Sequence, residues 1–295
     1  MNNRLNQKQL NNSITSQLGN STPNLNNMKN NYFNNKRVWI TGASSGIGRE
    51  LAIEISKRGG ICILSARSKE KLHETNGLSQ NSESNIILPL DVTDESAIDN
   101  AYAKLKESGP IDILINNAGV SQRSTTEDTK LEVYRSLMEV NYFAVVKLTK
   151  TVMPEMLERK SGSIVTISSI AGKVGPPYRS GYAASKHALH GFFESLRSEV
   201  SHRGLHVLVV CPGYINTPIA FNALNGQGGK YNKRDKENAE GLDPNDLAQK
   251  ILKSIAQKKN EVYFGKFEVN AVRLKRFWPG LLTKMLHRKF LKEPK

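Results

Sequence analysis

The sequence predicts a doubly wound α/β domain, a parallel seven-stranded sheet with helices on both faces. Three observations carry that expectation. Short apolar runs of strand length alternate with stretches of helical periodicity through most of the chain. The runs are near-continuously apolar rather than alternating, as befits strands buried on both faces. A glycine-rich turn follows the first of them directly. With 295 residues, 38% hydrophobic and 23% charged, the chain suffices for one such domain with tails.

Strands are expected at 37–41 (RVWIT), 61–65 (ICILS), 86–90 (IILPL), 111–115 (IDILI), 162–168 (GSIVTIS), 206–211 (HVLVVC) and 261–264 (EVYF). Helical periodicity covers 46–58, 68–78, 94–107, 131–158 and 181–203. The domain is thus expected over 36–267. Ahead of it, thirteen of the first 35 residues are Asn, too polar to offset the entropy of ordering, and a disordered leader over 1–35 is the expectation. Residues 222–243, rich in Gly, Asn and charge, are too long for a plain connection. Near the carboxyl ends of the strands they would form a substrate lid; otherwise they are a surface insertion.

The formal net charge of +15 is unevenly spread: residues 1–37 hold five basic and no acidic side chains, and 271–295 hold eight basic and one acidic. An anionic partner would meet the tails, the C-terminal one first. There, over 268–295, Leu274, Phe277, Trp278, Leu281, Leu282, Met285, Leu286 and Phe290 interleave with Arg and Lys around Pro279-Gly280. Two short basic amphipathic helices fit a membrane interface; packing on the domain or a partner subunit fits the pattern equally. No recognition module supports nucleic-acid binding. No apolar stretch reaches the roughly 18 residues of a membrane span, and no apolar signal segment opens the chain. A cytoplasmic protein with peripheral reach to a membrane surface is expected. Cys62 and Cys211 lie in strand-like runs and read as buried free thiols in a reducing compartment.

The turn after the first strand is TGASSGIG. Gly42, Gly46 and Gly48 permit a sharp turn and close approach to a pyrophosphate, while Ser44, Ser45 and Ile47 stand at the helix N-terminus with its free N–H groups. This is a Rossmann-type phosphate turn, spaced G-x-x-x-G-x-G. About 20 residues on, where an NAD enzyme offers a carboxylate to the ribose, stands Arg67. A guanidinium suits the 2′-phosphate of NADP(H); a solvated surface Arg is the alternative. Asp91-Val92, after the third strand, offers a carboxylate to the adenine amino group, with helix capping as its rival.

In YAASK, Tyr182 and Lys186 share a helix face. An adjacent ammonium would lower the phenol toward a pKa useful for proton exchange with a carbonyl oxygen. Ser169, thirteen residues upstream, can steady that oxygen. Asn117, Ala118 and Gly119 follow the fourth strand, and Asn141 stands inside the long helix, where Asn needs a special reason such as a backbone bulge. After the sixth strand Pro212, Gly213, Ile215 and Thr217 could clamp a carboxamide.

TGASSGIG, Asp91-Val92, NNAG, the Asn141 helix, Ser169 with YAASK, and PGYINT resemble the ordered motif set of the short-chain dehydrogenase/reductase family over about residues 36–265. The stretch from GSIVTISS to SLR also resembles its hydroxysteroid dehydrogenase and dehydrogenase/reductase member 7B subgroup. The resemblance implies hydride transfer between NADP(H) and a lipophilic carbonyl or alcohol, a proton relay of Tyr182, Lys186 and Asn141, Ser169 polarising the substrate, and a homodimer or homotetramer. Such relatives often carry an N-terminal membrane anchor, where this chain has its polar leader.

Rival chemistries are weaker. Ser169 with His187 lacks the G-x-S-x-G elbow of a hydrolase. His187 and His190 read as helix-surface residues, and no metal is expected. A cofactor-binding regulator or membrane-surface scaffold without turnover is the alternative function, although it would not need a proton relay.

Overall fold

The computed structural model describes residues 31–233 and 235–292. Seven parallel strands, β1 (Arg37–Thr41), β2 (Ile61–Ala66), β3 (Ile86–Pro89), β4 (Ile113–Asn116), β5 (Gly162–Ile167), β6 (Leu205–Pro212) and β7 (Glu261–Phe264), form one sheet in the order β3-β2-β1-β4-β5-β6-β7. The chain builds outward from β1 to β3, then crosses back to lay β4 beside β1. At that reversal the loops after β1 and β4 leave in opposite directions and open a crevice at the carboxyl end of the sheet.

Helices α1 (Gly46–Ser56), α2 (Lys69–Gly77), α3 (Glu95–Glu107), α4 (Leu131–Met138), α5 (Ala144–Glu158), α6 (Ser180–Val200), α7 (Lys236–Ala239) and α8 (Pro244–Ala256) surround the sheet. Successive strand residues supply opposite faces. Val38, Ile40, Ile113 and Val210 pack with Leu51 and Ile55 of α1 and with Leu247 and Ile251 of α8. Trp39, Leu114, Ile164 and Val209 pack with α3, α5 and α6 through Ile98, Val152 and Phe193. Both faces are therefore covered, which explains the unbroken apolar runs.

Three expectations change. The helix expected over 131–158 is two helices joined by a π turn, Glu139–Phe143. Helix α8 was not expected: the polar run before it obscures a clear signal, an Asp243 cap accepting from Asn245 N and Asp246 N, Pro244 at the first position, and Leu247, Ile251, Leu252 and Ile255 at helical spacing. The folded body also starts earlier than residue 36. Residues 1–30 of the expected leader lie outside the described residues, but 31–35 form a turn in which Phe33 is buried against Leu51, Ile55 and Cys62.

Beyond β7 the tail forms α9 (Asn270–Phe277) and α10 (Pro279–Lys292), broken where the Pro-Gly pair stands. Among the described residues no helix is long and apolar enough to cross a membrane.

Truncating Phe33 to Ala should cost about 3–5 kcal/mol, the usual penalty for emptying a buried aromatic site. Urea unfolding measures it, and an unmoved midpoint would take residues 31–35 out of the core.

Candidate active site

The crevice begins with a turn that only glycine can make. Gly42 and Gly46 have φ of 66° and 54°, and a Cβ on Gly42 would lie 2.9 Å from both Ala118 Cα and Asn117 Nδ2. Gly48 packs against the Gly42 carbonyl rather than facing the crevice. Asn117 binds this turn to the end of β4: its Nδ2 donates to Thr41 O at 2.9 Å and Gly42 O at 3.1 Å. Thr41 Oγ1 accepts from the amides of Asn117 (3.0 Å) and Ala118 (3.1 Å). Ser45 N-caps α1 without a side-chain bond, so the first-turn amides are left for another partner.

A groove of about 1450 Å³ runs over this turn. Its wall includes Gly42, Ser44, Ser45, Gly46, Ile47, Arg67, Asp91, Val92, Asn117, Ala118, Gly119 and Thr217, and, unforeseen in the sequence, Ser68 and Lys71. Arg67 is exposed at the end of β2. The Asp91 carboxyl is held below its ordinary range, chiefly by the Thr93 amide (3.0 Å), with the Thr93 hydroxyl (2.8 Å) and the Arg67 charge assisting. Asp94, not Asp91, caps α3, accepting from Ala97 N at 2.9 Å. The 222–243 segment lies on this groove: Asn222, Leu224, Gln227, Gly228 and Lys230 line it. Its Asp235 pairs with Arg123 and, at 2.9 Å, with Arg179.

The residues after β6 are less open than expected. Pro212 O accepts from Ser169 Oγ at 3.4 Å, and Gly213 has no room for a side chain beside Glu268. Ile215 packs into the core, and its carbonyl already accepts from Thr217 N (2.8 Å) and Asn238 Nδ2 (3.1 Å). Of this stretch only Thr217 lines the groove, beside Pro218.

Deep to the loop after β4, the four chemistry-bearing side chains converge. Asn141 is fully buried in the π turn. Its Oδ1 accepts from Val120 N, and its Nδ2 donates to Val120 O and Ser185 Oγ, all at 2.9 Å. The bulge and the buried amide are thus one device: the extra residue turns the side chain off the helix to bind the loop after β4. Ser185 Oγ in turn donates to Tyr182 O at 2.8 Å. Lys186 Nζ donates to Ile167 O at 2.9 Å and lies 5.9 Å from the Tyr182 ring centre. A Cβ on Gly119 would sit 3.0 Å from Asn141 Oδ1 and 3.5 Å from Lys186 Nζ, so that glycine keeps the chamber open. Ser169 caps the short turn after β5, accepting from Ala171 N at 3.0 Å.

The expected lowering of the Tyr182 phenol by Lys186 is not what this arrangement does. Burial pushes the phenol up, opposed by the Ser169 hydroxyl and the Arg179 charge. Burial also brings the Lys186 ammonium down to about 8 and engages it with a carbonyl rather than the phenol. His190 is a second correction. It is buried, not on the helix surface, with its ring 3.0 Å from Ser168 Oγ, 3.4 Å from Glu261 and 3.8 Å from Cys211 Sγ. Ser168 therefore points away from the groove, and Ser169 alone of the pair faces Tyr182. Both thiols are buried; burial pushes Cys62 up to about 12 and Cys211 up as well.

The family model for short chain dehydrogenases matches residues 36–227 of this chain. The chain belongs to that family. Among short-chain dehydrogenases it is 42% identical over 261 residues to the zebrafish (Danio rerio) dehydrogenase/reductase SDR family member 7B, covering 85% of this chain and 84% of that protein. Two solved bacterial short-chain dehydrogenases share the fold. One, from Burkholderia cenocepacia J2315 in complex with NADP, is 24% identical with a TM-score of 0.72, covering 86% of this chain and 98% of that one. The other, from Burkholderia phymatum in complex with NAD, is 23% identical with a TM-score of 0.76, covering 84% and 95%. In this short-chain dehydrogenase the groove wall takes Gly42, Ser44 to Ile47, Asp91-Val92, Asn117 to Gly119 and Thr217, while Asn141, Ser169, Tyr182 and Lys186 cluster behind it.

Replacing Asn141 by Leu would remove the partner of the half-buried Val120 N–H and C=O and of the buried Ser185 hydroxyl, at a total cost of about 1–3 kcal/mol. Equilibrium unfolding should show the loss; a variant as stable as the parent would mean that water fills the amide's place.

Proposed function

We propose that this short-chain oxidoreductase is NADP(H)-dependent and moves hydride between the nicotinamide and a lipophilic ketone, aldehyde or secondary alcohol, as a homodimer or homotetramer. One observation carries the reading: Tyr182, Lys186, Ser169 and Asn141 converge behind Gly119 and Val120, which line a groove whose glycine turn and helix N-terminus suit a dinucleotide's phosphates. Arg67 and Lys71 line the same groove, and the end of β2, where an NAD enzyme offers a carboxylate, carries Arg67 instead, which favours the 2′-phosphate form.

The cofactor supplies or takes the hydride. Tyr182 gives its phenolic proton to the carbonyl oxygen in reduction, or receives one from the alcohol in oxidation, while the Ser169 hydroxyl holds that oxygen. Burial holds the Tyr182 phenol above its ordinary range, opposed by the Ser169 hydroxyl and the Arg179 charge. Lys186, brought down to about 8 by burial, is held beside the Tyr182 ring by the Ile167 carbonyl. Asn141 holds the loop after β4 and, through Ser185, the turn of α6 that bears Tyr182. The 222–243 segment serves as the lid over the substrate.

Purified protein should oxidise NADPH faster than NADH against steroid ketones, retinaldehyde, long-chain acyl ketones or small quinones. Tyr182→Phe should abolish turnover and leave NADPH affinity within about twofold, and Arg67→Asp should reverse the cofactor preference. Tight NADPH binding with no turnover on any carbonyl would favour a regulator or membrane-surface scaffold instead, and a Tyr182→Phe variant as active as the parent would remove the proton-transfer assignment.

The tail supports a second element of the reading, peripheral contact of a cytoplasmic protein with a membrane. Phe277, Trp278, Leu281, Met285 and Leu291 are each more than half exposed, among Arg273, Lys275, Arg276, Lys284 and Arg288. The opposite face of α10 is anchored: Leu282 is buried, Phe290 stacks obliquely on Tyr178 at 5.2 Å, and Lys289 pairs with Glu237 at 2.8 Å. Aromatic and basic groups together suit an anionic lipid surface. Co-sedimentation with phosphatidylserine-containing vesicles should exceed that with phosphatidylcholine alone and fall in a Trp278→Glu/Leu281→Glu variant; equal recovery of parent and variant would reject the contact.

A further inference from the structure

The helix that carries Tyr182 has no cap of its own. Arg179, at the N-cap of α6, turns no side-chain acceptor onto the first-turn amides, which have no partner within the helix. A side chain from a distant loop takes two of them. Gln122 Oε1 accepts from Gly181 N at 2.7 Å and from Tyr182 N at 3.3 Å. Gln122 is fully buried, so water has no access to replace it. The other end of its amide fixes the orientation: Nε2 donates to Ser124 Oγ at 3.2 Å and to Thr129 Oγ1 at 3.1 Å. The first turn is also held sterically, since a Cβ on Gly181 would lie 2.7 Å from Tyr134, 2.8 Å from Leu137 and 3.1 Å from Gln122 Oε1.

The main chain of the same residue faces the lid. Gln122 is bridged to Leu224, between Leu224 N donating to Ser121 O and Arg123 N donating to Leu224 O, both at 2.8 Å. Leu224 lines the groove; Gln122 does not. One buried residue thus joins the segment over the groove to the turn that bears the phenol.

We infer that Gln122 is a positioning residue for Tyr182, fixing where the phenol stands beside Lys186 and linking that position to the 222–243 segment. The inference rests on the reading of Tyr182 as the proton-transfer residue. Gln122 acts through the two α6 amides, without touching the groove.

The test compares Gln122→Leu and Gln122→Glu in the full chain, with Tyr182→Phe alongside. Gln122→Leu removes the acceptor and should lower kcat on the order of 10- to 100-fold, as misplacement of a reacting group does, while NADPH affinity by fluorescence titration stays within about twofold. Gln122→Glu keeps the acceptor at a helix N-terminus, where negative charge is favourable, and should recover most of the rate. Its carboxylate beside the Tyr182 amide should raise the phenol's titration midpoint. That midpoint is read without turnover, as the phenolate absorbance of each protein minus that of the same protein carrying Tyr182→Phe. The alkaline limb of carbonyl reduction should move to higher pH with it.

A Gln122→Leu kcat within about twofold of the parent, or an NADPH affinity that falls in step with kcat, would overturn the inference. So would a Gln122→Glu midpoint equal to the parent's, and this reading decides alone if Gln122→Leu does not fold. A Tyr182→Phe enzyme with parental turnover brings down the underlying reading, whereas a dead Tyr182→Phe beside parental Gln122 variants removes only the role of Gln122.

Discussion

The site depends on one short staple across the sheet. Thr41 ends β1 and Asn117 follows β4, and four hydrogen bonds among them and their neighbours Gly42 and Ala118 hold two loops that leave the sheet in opposite directions. Parallel strands impose the problem: their neighbours' loops emerge side by side at the carboxyl edge with polar main-chain groups and no ladder to satisfy them. Using Thr41 Oγ1 and Asn117 Nδ2 for those groups leaves the glycine turn rigid and the α1 amides free. The crevice over them is what remains when the backbone has been satisfied from below.

A second set of polar contacts holds the inner end of that crevice by the same means. Asn141 satisfies the Val120 amide and carbonyl, Ser185 passes its hydrogen bond on to the α6 backbone, and Gln122 takes amides that α6 would otherwise leave bare. Each is a buried polar group with its partners in place, the condition under which such networks fix geometry instead of costing stability. Tyr182 and Lys186 then sit in a chamber dry enough to move both away from their ordinary titration, the phenol up and the ammonium down.

The sequence carried the sheet because buried parallel strands write themselves as plain apolar runs, and it carried much of the groove wall because glycine turns and strand ends are local. It did not carry α8, whose cap and apolar spacing were legible but stood behind a polar segment. Nor did it carry Gln122, Lys71 or the burial of His190: each depends on a partner far off in sequence, and a lone polar residue has no pattern to mark it. Asn141 lies between these cases. Its poor fit to a helix was readable, while the π turn that resolves the misfit belongs to the three-dimensional packing. The tail divides similarly, with its break at Pro279-Gly280 plain in sequence and the anchoring of Phe290 on Tyr178 not.

The reach of the β1–β4 staple has a consequence for how the molecule assembles. Thr41 and Asn117 are 76 residues apart, and the whole β2–β3 excursion lies between them. Contacts of such separation form late and slowly, because the intervening chain must be closed before they return any free energy. A nascent chain that has made β1, its glycine turn and α1 therefore has the first-turn amides but not the wall that faces them. The shape of the crevice is in this sense a property of the finished sheet, completed only when its two halves dock.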